Sequence, residues 1–108
     1  MGRSERRQVR SRLSVIVIHL LKWQLQIEYR SISWKTTINN QRDELEVVLA
    51  ESPSLRRLVS ELLAEAYPRA RRVAAREMNL IPSAARKLPE MSPFTVEQVL
   101  DEDFFPGE

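Results

Sequence analysis

The sequence is poor in residues that active sites need: its 108 residues include no cysteine, one histidine and two glycines. The absence of cysteine excludes disulfides, thiolate nucleophiles and zinc sites built on sulfur. A metal ion would have to rely on carboxylates such as Asp101 to Asp103, a run more typical of a solvated acidic end. No glycine-rich loop is present, which excludes Walker-type and dinucleotide-binding motifs. We therefore predict no catalytic residue, no metal and no cofactor, and we favour a protein that is not an enzyme.

Long apolar runs are also missing. The run from Leu13 to Leu21 is interrupted by His19 and followed by Lys22, whereas a membrane helix needs about 20 apolar residues. We expect no membrane span and a cytoplasmic protein. The net charge is only +2, but residues 1–45 carry nine bases against four acids and residues 88–108 carry six acids and no base. Such asymmetry suits either a nucleic-acid surface or two halves that attract each other in the fold.

The scarcity of glycine disfavours hairpins and predicts an all-α fold. Ser31 or Ser33 can cap a helix, Pro68 lacks the amide that a helix interior uses, and Thr95 followed by Gln98 is typical of a capping box. We predict a single domain, residues 1–108, in the form of a small bundle with an irregular segment at 79–94 and an acidic tail at 101–108. The predicted helices are three long ones at about 4–27, 33–50 and 53–77, the last kinked near Pro68, and a short one at about 96–101.

The first predicted helix is apolar on two sides. One stripe contains Leu13, Ile16 and Leu20, and a second stripe lies on the opposite side. A helix that is apolar all round is a buried helix, so we place it at the centre, covered from two directions. The second stripe is the candidate association face, through which we predict a homodimer or a complex with another protein; it consists of Val15, Ile18, Leu21 and Leu25.

The same helix carries a candidate ligand site at His19, Lys22 and Trp23. His19 and Trp23 are one turn apart, and Trp23 could offer a stacking surface for a small ligand or anion. The simpler interpretation is a core histidine that donates to a carbonyl or a carboxylate, with Lys22 extending to solvent, because buried polar groups are usually paired and seldom functional. We favour the simpler interpretation.

Arginines recur at the front of the chain at helical spacing, as a stripe of Arg3, Arg6, Arg7 and Arg10. Such a stripe can bind phosphates, and nucleic-acid binding through it is the alternative function. It can equally bind an acidic tail or the acids of another subunit. A second arginine cluster lies at positions 69–76, and no aromatic residues are interleaved with either cluster to stack on bases.

Several runs, in their order along the chain, resemble the bacterial family known as domain of unknown function 29. These runs are MGRSERR, HLLKW, SISW, ESPSL, AEAY, AARE and DEDFFP. The resemblance implies an all-helical, cytoplasmic protein with no assigned activity, cofactor or catalytic residue, so it assigns no role to His19, Lys22 or Trp23. Members usually carry a preceding acidic helical segment, which we expect to be missing here.

Overall fold

The computed structural model describes residues 3–108, and these form helices, turns and loops without a strand. The prediction of an all-α bundle with three long helices is confirmed. The helices are α1 (Arg3–Leu25), α2 (Ile32–Glu51), α3 (Val59–Glu77), α4 (Pro82–Ala85) and α5 (Val96–Leu100), with 3₁₀ segments at Ile27–Tyr29 and Pro53–Leu58.

Helix α1 lies at the centre, as its two apolar sides predicted. Its main contacts are with α2 on one side and α3 on the other. Two ion pairs, Arg10 with Glu65 and Lys22 with Glu77, both join positions 55 residues apart. Because this offset is constant along the pair, α1 and α3 run parallel in a fixed register. No residue of α1 between Arg12 and Trp23 is fully exposed.

One continuous apolar core joins the three long helices to the C-terminal chain. Leu13, Ile16 and Leu20 of α1 have no solvent exposure. The chain after α3 returns along the bundle and adds Phe94 and Val99 to the core. Burial of side chains of this size contributes about 1.5–3 kcal/mol each, so the central helix is held mainly by apolar packing.

The predicted helix starts are confirmed where a side chain caps them. The Ser31 hydroxyl accepts the amide of Trp34 at 3.1 Å, so α2 begins after Ser31. At α5, Thr95 Oγ1 accepts the amide of Gln98 at 3.1 Å and Gln98 Oε1 accepts the amide of Thr95 at 3.0 Å. All three bonds satisfy amides that a helix start leaves without a partner.

The third predicted helix differs from the expectation of one helix over 53–77. Residues Pro53–Leu58 form 3₁₀ turns, and the α-helix starts only at Val59. Ser52, which precedes Pro53, is a residue type that often caps helices, but its hydroxyl donates to the Glu5 carboxylate at 2.9 Å and makes no cap bond. Without that cap the first turns remain in the tighter 3₁₀ form, which is frequent at helix ends. Helix α3 continues through Pro68, so the proline does not break it.

The C-terminal chain is docked on α1 and α2. The ring of Phe105 lies 5.2 Å from the ring of Trp23 between centroids. Arg30 donates to the carbonyls of Trp23 at 2.8 Å and Pro106 at 3.1 Å, which ties the tail to the turn between α1 and α2. The predicted irregular segment at 79–94 contains one helical turn, α4, that begins at Pro82.

Candidate functional site

His19 is half-buried and bonds within its own helix. Its Nδ1 lies 2.9 Å from the carbonyl oxygen of Val15. A carbonyl oxygen can only accept, so Nδ1 carries the proton and donates. Burial lowers the pKa of His19 below its usual 6.5, and this outweighs the bond to Val15, which favours the protonated ring. The imidazole is therefore a neutral donor near pH 7, as the simpler interpretation of the sequence has it.

Lys22 and Trp23 point to different partners. The Lys22 ammonium lies 2.9 Å from the Glu77 carboxylate and 5.1 Å from the centroid of the Trp34 ring. Trp23 is only 4% exposed and packs on Phe105. Its ring is covered by the C-terminal chain, so it presents no open stacking surface. The structure thus does not bring His19, Lys22 and Trp23 together around one cavity.

Among residues 3–108, no three histidine, aspartate or glutamate side chains converge as a metal ion would require. None of the helices in this range combines the length and the apolarity needed to cross a bilayer.

The candidate association face is largely covered by the chain itself. Ile18 and Leu21 are buried in the core, and Val15 is half-buried. Only Leu25, the last residue of α1, is substantially exposed, at 50%. The apolar stripe is real, but α2 and α3 cover most of it, because both flank α1.

Exposed apolar side chains instead gather where α1 turns into α2. Within eight positions of the chain lie Leu25, Ile27, Tyr29 and Ile32, which we call the apolar end. Their exposed fractions are 50%, 62%, 66% and 84%. Large exposed apolar patches are unusual on a monomer and mark sites of association, and these four side chains lie close together in the sequence.

One arginine of the N-terminal stripe pairs with an acid of α3. Arg10 pairs with Glu65 at 3.2 Å, while Arg3, Arg6 and Arg7 are exposed. In the fixed register of α1 and α3, Arg6 lies level with Glu61. The carboxylates of α3 therefore offset part of the positive charge that the sequence shows at this end of α1.

A groove of about 600 Å³ lies between the first half of α3 and residues 90–97. The buried side chains of Leu63, Tyr67 and Phe94 line it, and its lining also includes the exposed Arg57 and Glu97. Because charges of both signs occur around it, the groove favours neither anions nor cations. No sequence pattern signals this groove, since its two walls are about thirty residues apart in the chain.

The role of Arg42 is the one that the sequence predicts least well. Its position on α2, among polar neighbours, predicts a solvated side chain, and this is wrong, because Arg42 is 2% exposed. Its guanidinium donates to the carbonyls of Val99 at 2.8 Å, Gln98 at 3.1 Å and Phe104 at 3.0 Å. Burial lowers the pKa of Arg42, and the acids at 101–103 oppose that change. Arg42 fastens the C-terminal chain to the bundle.

Comparison with known protein families gives a match that covers nearly the whole chain. The family model described as Domain of unknown function DUF29 matches residues 1–105. This match confirms the resemblance that the quoted runs indicate. No curated protein and no solved structure matches the chain.

Proposed function

The chain belongs to the DUF29 family, a membership that assigns no activity, and from its surface we propose that it is a protein-association module that forms a homodimer through the apolar end. The observation that supports this proposal is the exposure of Leu25, Ile27, Tyr29 and Ile32, each at least half exposed to water. Water contact of this kind is unfavourable, and a second copy of the same surface removes it.

The energetics favour a symmetric pair over a partner that contributes no apolar surface. Full burial of a side chain of this size contributes about 1.5–3 kcal/mol, so covering the exposed parts of the four contributes roughly 4–8 kcal/mol. Association costs about 4–15 kcal/mol in lost freedom of motion. One apolar end barely offsets that cost, whereas an isologous dimer buries two of them and contributes roughly twice as much.

Light scattering on the purified chain tests the proposal. A dimer has twice the mass of the 12.6 kDa chain. Two apolar ends contribute about 12 kcal/mol, and subtracting an association cost of about 4 kcal/mol leaves about 8 kcal/mol, a dissociation constant of about 1 µM. We therefore expect the dimer at concentrations of about 50 µM and its dissociation on dilution. A chain that remains monomeric at about 200 µM would contradict the proposal, since binding this weak could not be driven by two buried apolar ends.

The variant Ile32→Glu locates the interface, and Val47→Glu is its matched control. Both residues are exposed apolar positions of α2, at 84% and 54%, so neither substitution disturbs the core. We expect Ile32→Glu to be monomeric, because two like charges would face each other in the dimer, and Val47→Glu to remain dimeric. If both variants dimerise equally well, the apolar end is not the interface.

A further inference from the structure

The stretch from residue 66 to residue 89 has a strong excess of positive charge. It contains six bases and one acid, Glu77. That acid is already paired, because its carboxylate lies 2.9 Å from the Lys22 ammonium. Five of the six basic side chains are exposed, and we call them the basic patch: Arg69, Arg72, Arg76, Arg86 and Lys87.

The fold arranges these cations in two neighbouring rows. Arg69, Arg72 and Arg76 follow helical spacing along one side of α3 and span about 10 Å at 1.5 Å per residue. The sixth base, Arg71, holds the second row in place by donating to the carbonyl of Arg86 at 3.2 Å and to those of Leu88 and Pro89. Arg86 and Lys87 are thereby fixed beside α3.

A shallow hollow of about 260 Å³ lies between the two rows. Its lining consists of Arg71, Arg72 and Arg86, together with the methyl groups of Ala75 and Ala85. The hollow is therefore open, and three of its five lining residues are arginines.

None of the five basic-patch side chains makes an ion pair or a hydrogen bond to another group within residues 3–108. Several other bases of the chain do have partners, as with Arg10 on Glu65 and Arg56 on Glu46. Like charges held together without counter-ions repel one another, and an external anion relieves this repulsion.

We infer that the basic patch binds the phosphate backbone of a nucleic acid, independently of base sequence. Guanidinium groups match phosphate oxygens by paired hydrogen bonds, and four of the five cations are arginines. Protein partners usually require large apolar or aromatic anchors, whereas the hollow offers only two alanines. Binding to a phosphate backbone is chiefly electrostatic and needs no such anchor. This site differs from the N-terminal stripe, whose charge α3 partly offsets.

Fluorescence anisotropy with labelled mixed-sequence oligonucleotides, single-stranded and duplex, tests the inference. We expect binding at low salt that weakens steeply as salt rises. The logarithm of the binding constant should fall with the logarithm of salt by about 0.7 per contacted phosphate for a single strand and about 0.9 for a duplex. Five contacts would give slopes of about −3.5 and −4.5.

The double variant Arg72→Gln with Arg86→Gln removes one cation from each row. We expect it to reduce the slope for single strands by about 1.4 and the affinity at 50 mM salt roughly 50-fold. Because both side chains are exposed and make no internal side-chain bond, thermal melting should be unchanged. If this pair nevertheless alters melting, Arg76→Gln with Lys87→Gln removes the same charge at positions outside the hollow and should give the same reduction in slope.

The control is Arg3→Gln with Arg6→Gln, which removes equal charge from the N-terminal stripe and should leave affinity within about threefold. Equal losses in the two double variants would overturn the inference, as would the absence of binding at 25 mM salt. Competition by a polyglutamate peptide distinguishes nucleic acids from acidic protein segments as the partner. If the peptide displaces the oligonucleotide when its carboxylate concentration is equal to or lower than the phosphate concentration, the patch is a site for acidic protein segments and the inference fails.

Discussion

Replacement of Arg42 by methionine should release the C-terminal chain from the bundle. Methionine keeps a long apolar stem but removes every donor. The carbonyls of Gln98 and Val99 belong to the last turn of α5, where no helical amide follows to satisfy them. The Arg42 guanidinium donates a hydrogen bond to each of these two carbonyls and a third to the carbonyl of Phe104. One side chain therefore fixes both α5 and the tail.

The expected loss of stability can be estimated from these three bonds. A hydrogen bond from a charged donor contributes about 1.5–3 kcal/mol, and a buried carbonyl left without a partner costs about 1–3 kcal/mol. Because the three carbonyls can relax towards water when the tail loosens, the losses do not simply add. We expect the free energy of unfolding to fall by about 3–5 kcal/mol, a large part of the total of about 5–15 kcal/mol for a domain of this size.

Urea denaturation followed by far-ultraviolet circular dichroism measures this loss. With a slope of about 2 kcal/mol/M, the midpoint for Arg42→Met should fall by about 2 M. Arg57→Met is the control, because Arg57 is exposed and its loss should change the unfolding free energy by no more than about 0.5 kcal/mol. Hydrogen exchange should show faster exchange at residues 96–105 in Arg42→Met. A midpoint within about 0.5 M of the wild type would refute this account of Arg42.

The remaining predictions concern His19 and Tyr67. Since burial lowers the pKa of His19, the imidazole binds a proton more readily in the unfolded chain than in the folded one. The contribution of neutral His19 to the free energy of unfolding is therefore complete above pH 6.5 and is lost as the pH falls through the folded-state pKa. The urea midpoint of the wild type should therefore decline more steeply than that of His19→Gln as the pH falls from 7.5 to 5.5; parallel declines would contradict this role. Tyr67→Phe removes the bond from the hydroxyl to the Pro89 carbonyl, 2.6 Å long, and should lower the unfolding free energy by about 1 kcal/mol in the same assay. The effect stays small because Arg71 also donates to the Pro89 carbonyl. A fall in the unfolding free energy of more than about 3 kcal/mol would contradict the assignment of a single hydrogen bond to the hydroxyl.

Local signals in the sequence predicted most of the fold. Scarce glycine disfavours hairpins, the serine at position 31 begins α2, and the Thr95 capping box begins α5. The two apolar stripes of α1 correctly predicted its central place. Such features can be predicted because they depend on residues within a few positions of one another, where helical geometry alone fixes the distance.

The start of α3 shows how a contact distant in sequence overrides a local signal. Ser52 followed by Pro53 is a good helix start in isolation. The hydroxyl of Ser52 instead bonds Glu5, 47 positions away, and the chain enters α3 through 3₁₀ turns. Hydrophobic periodicity cannot predict this contact, because it contains no information about which helix packs against which.

The sequence by itself determined the class of the fold, the central helix and the lack of common catalytic motifs. Tertiary structure alone decided which polar residues are buried and which charges remain without a counter-ion. Arg42 has polar neighbours on α2 and is nonetheless buried, whereas Arg72 and Arg76 of α3 are exposed. The acid beside them in sequence, Glu77, pairs with Lys22 of α1. A helical pattern fixes the direction of each side chain relative to its own axis, but the partner in that direction depends on the packing of the other helices.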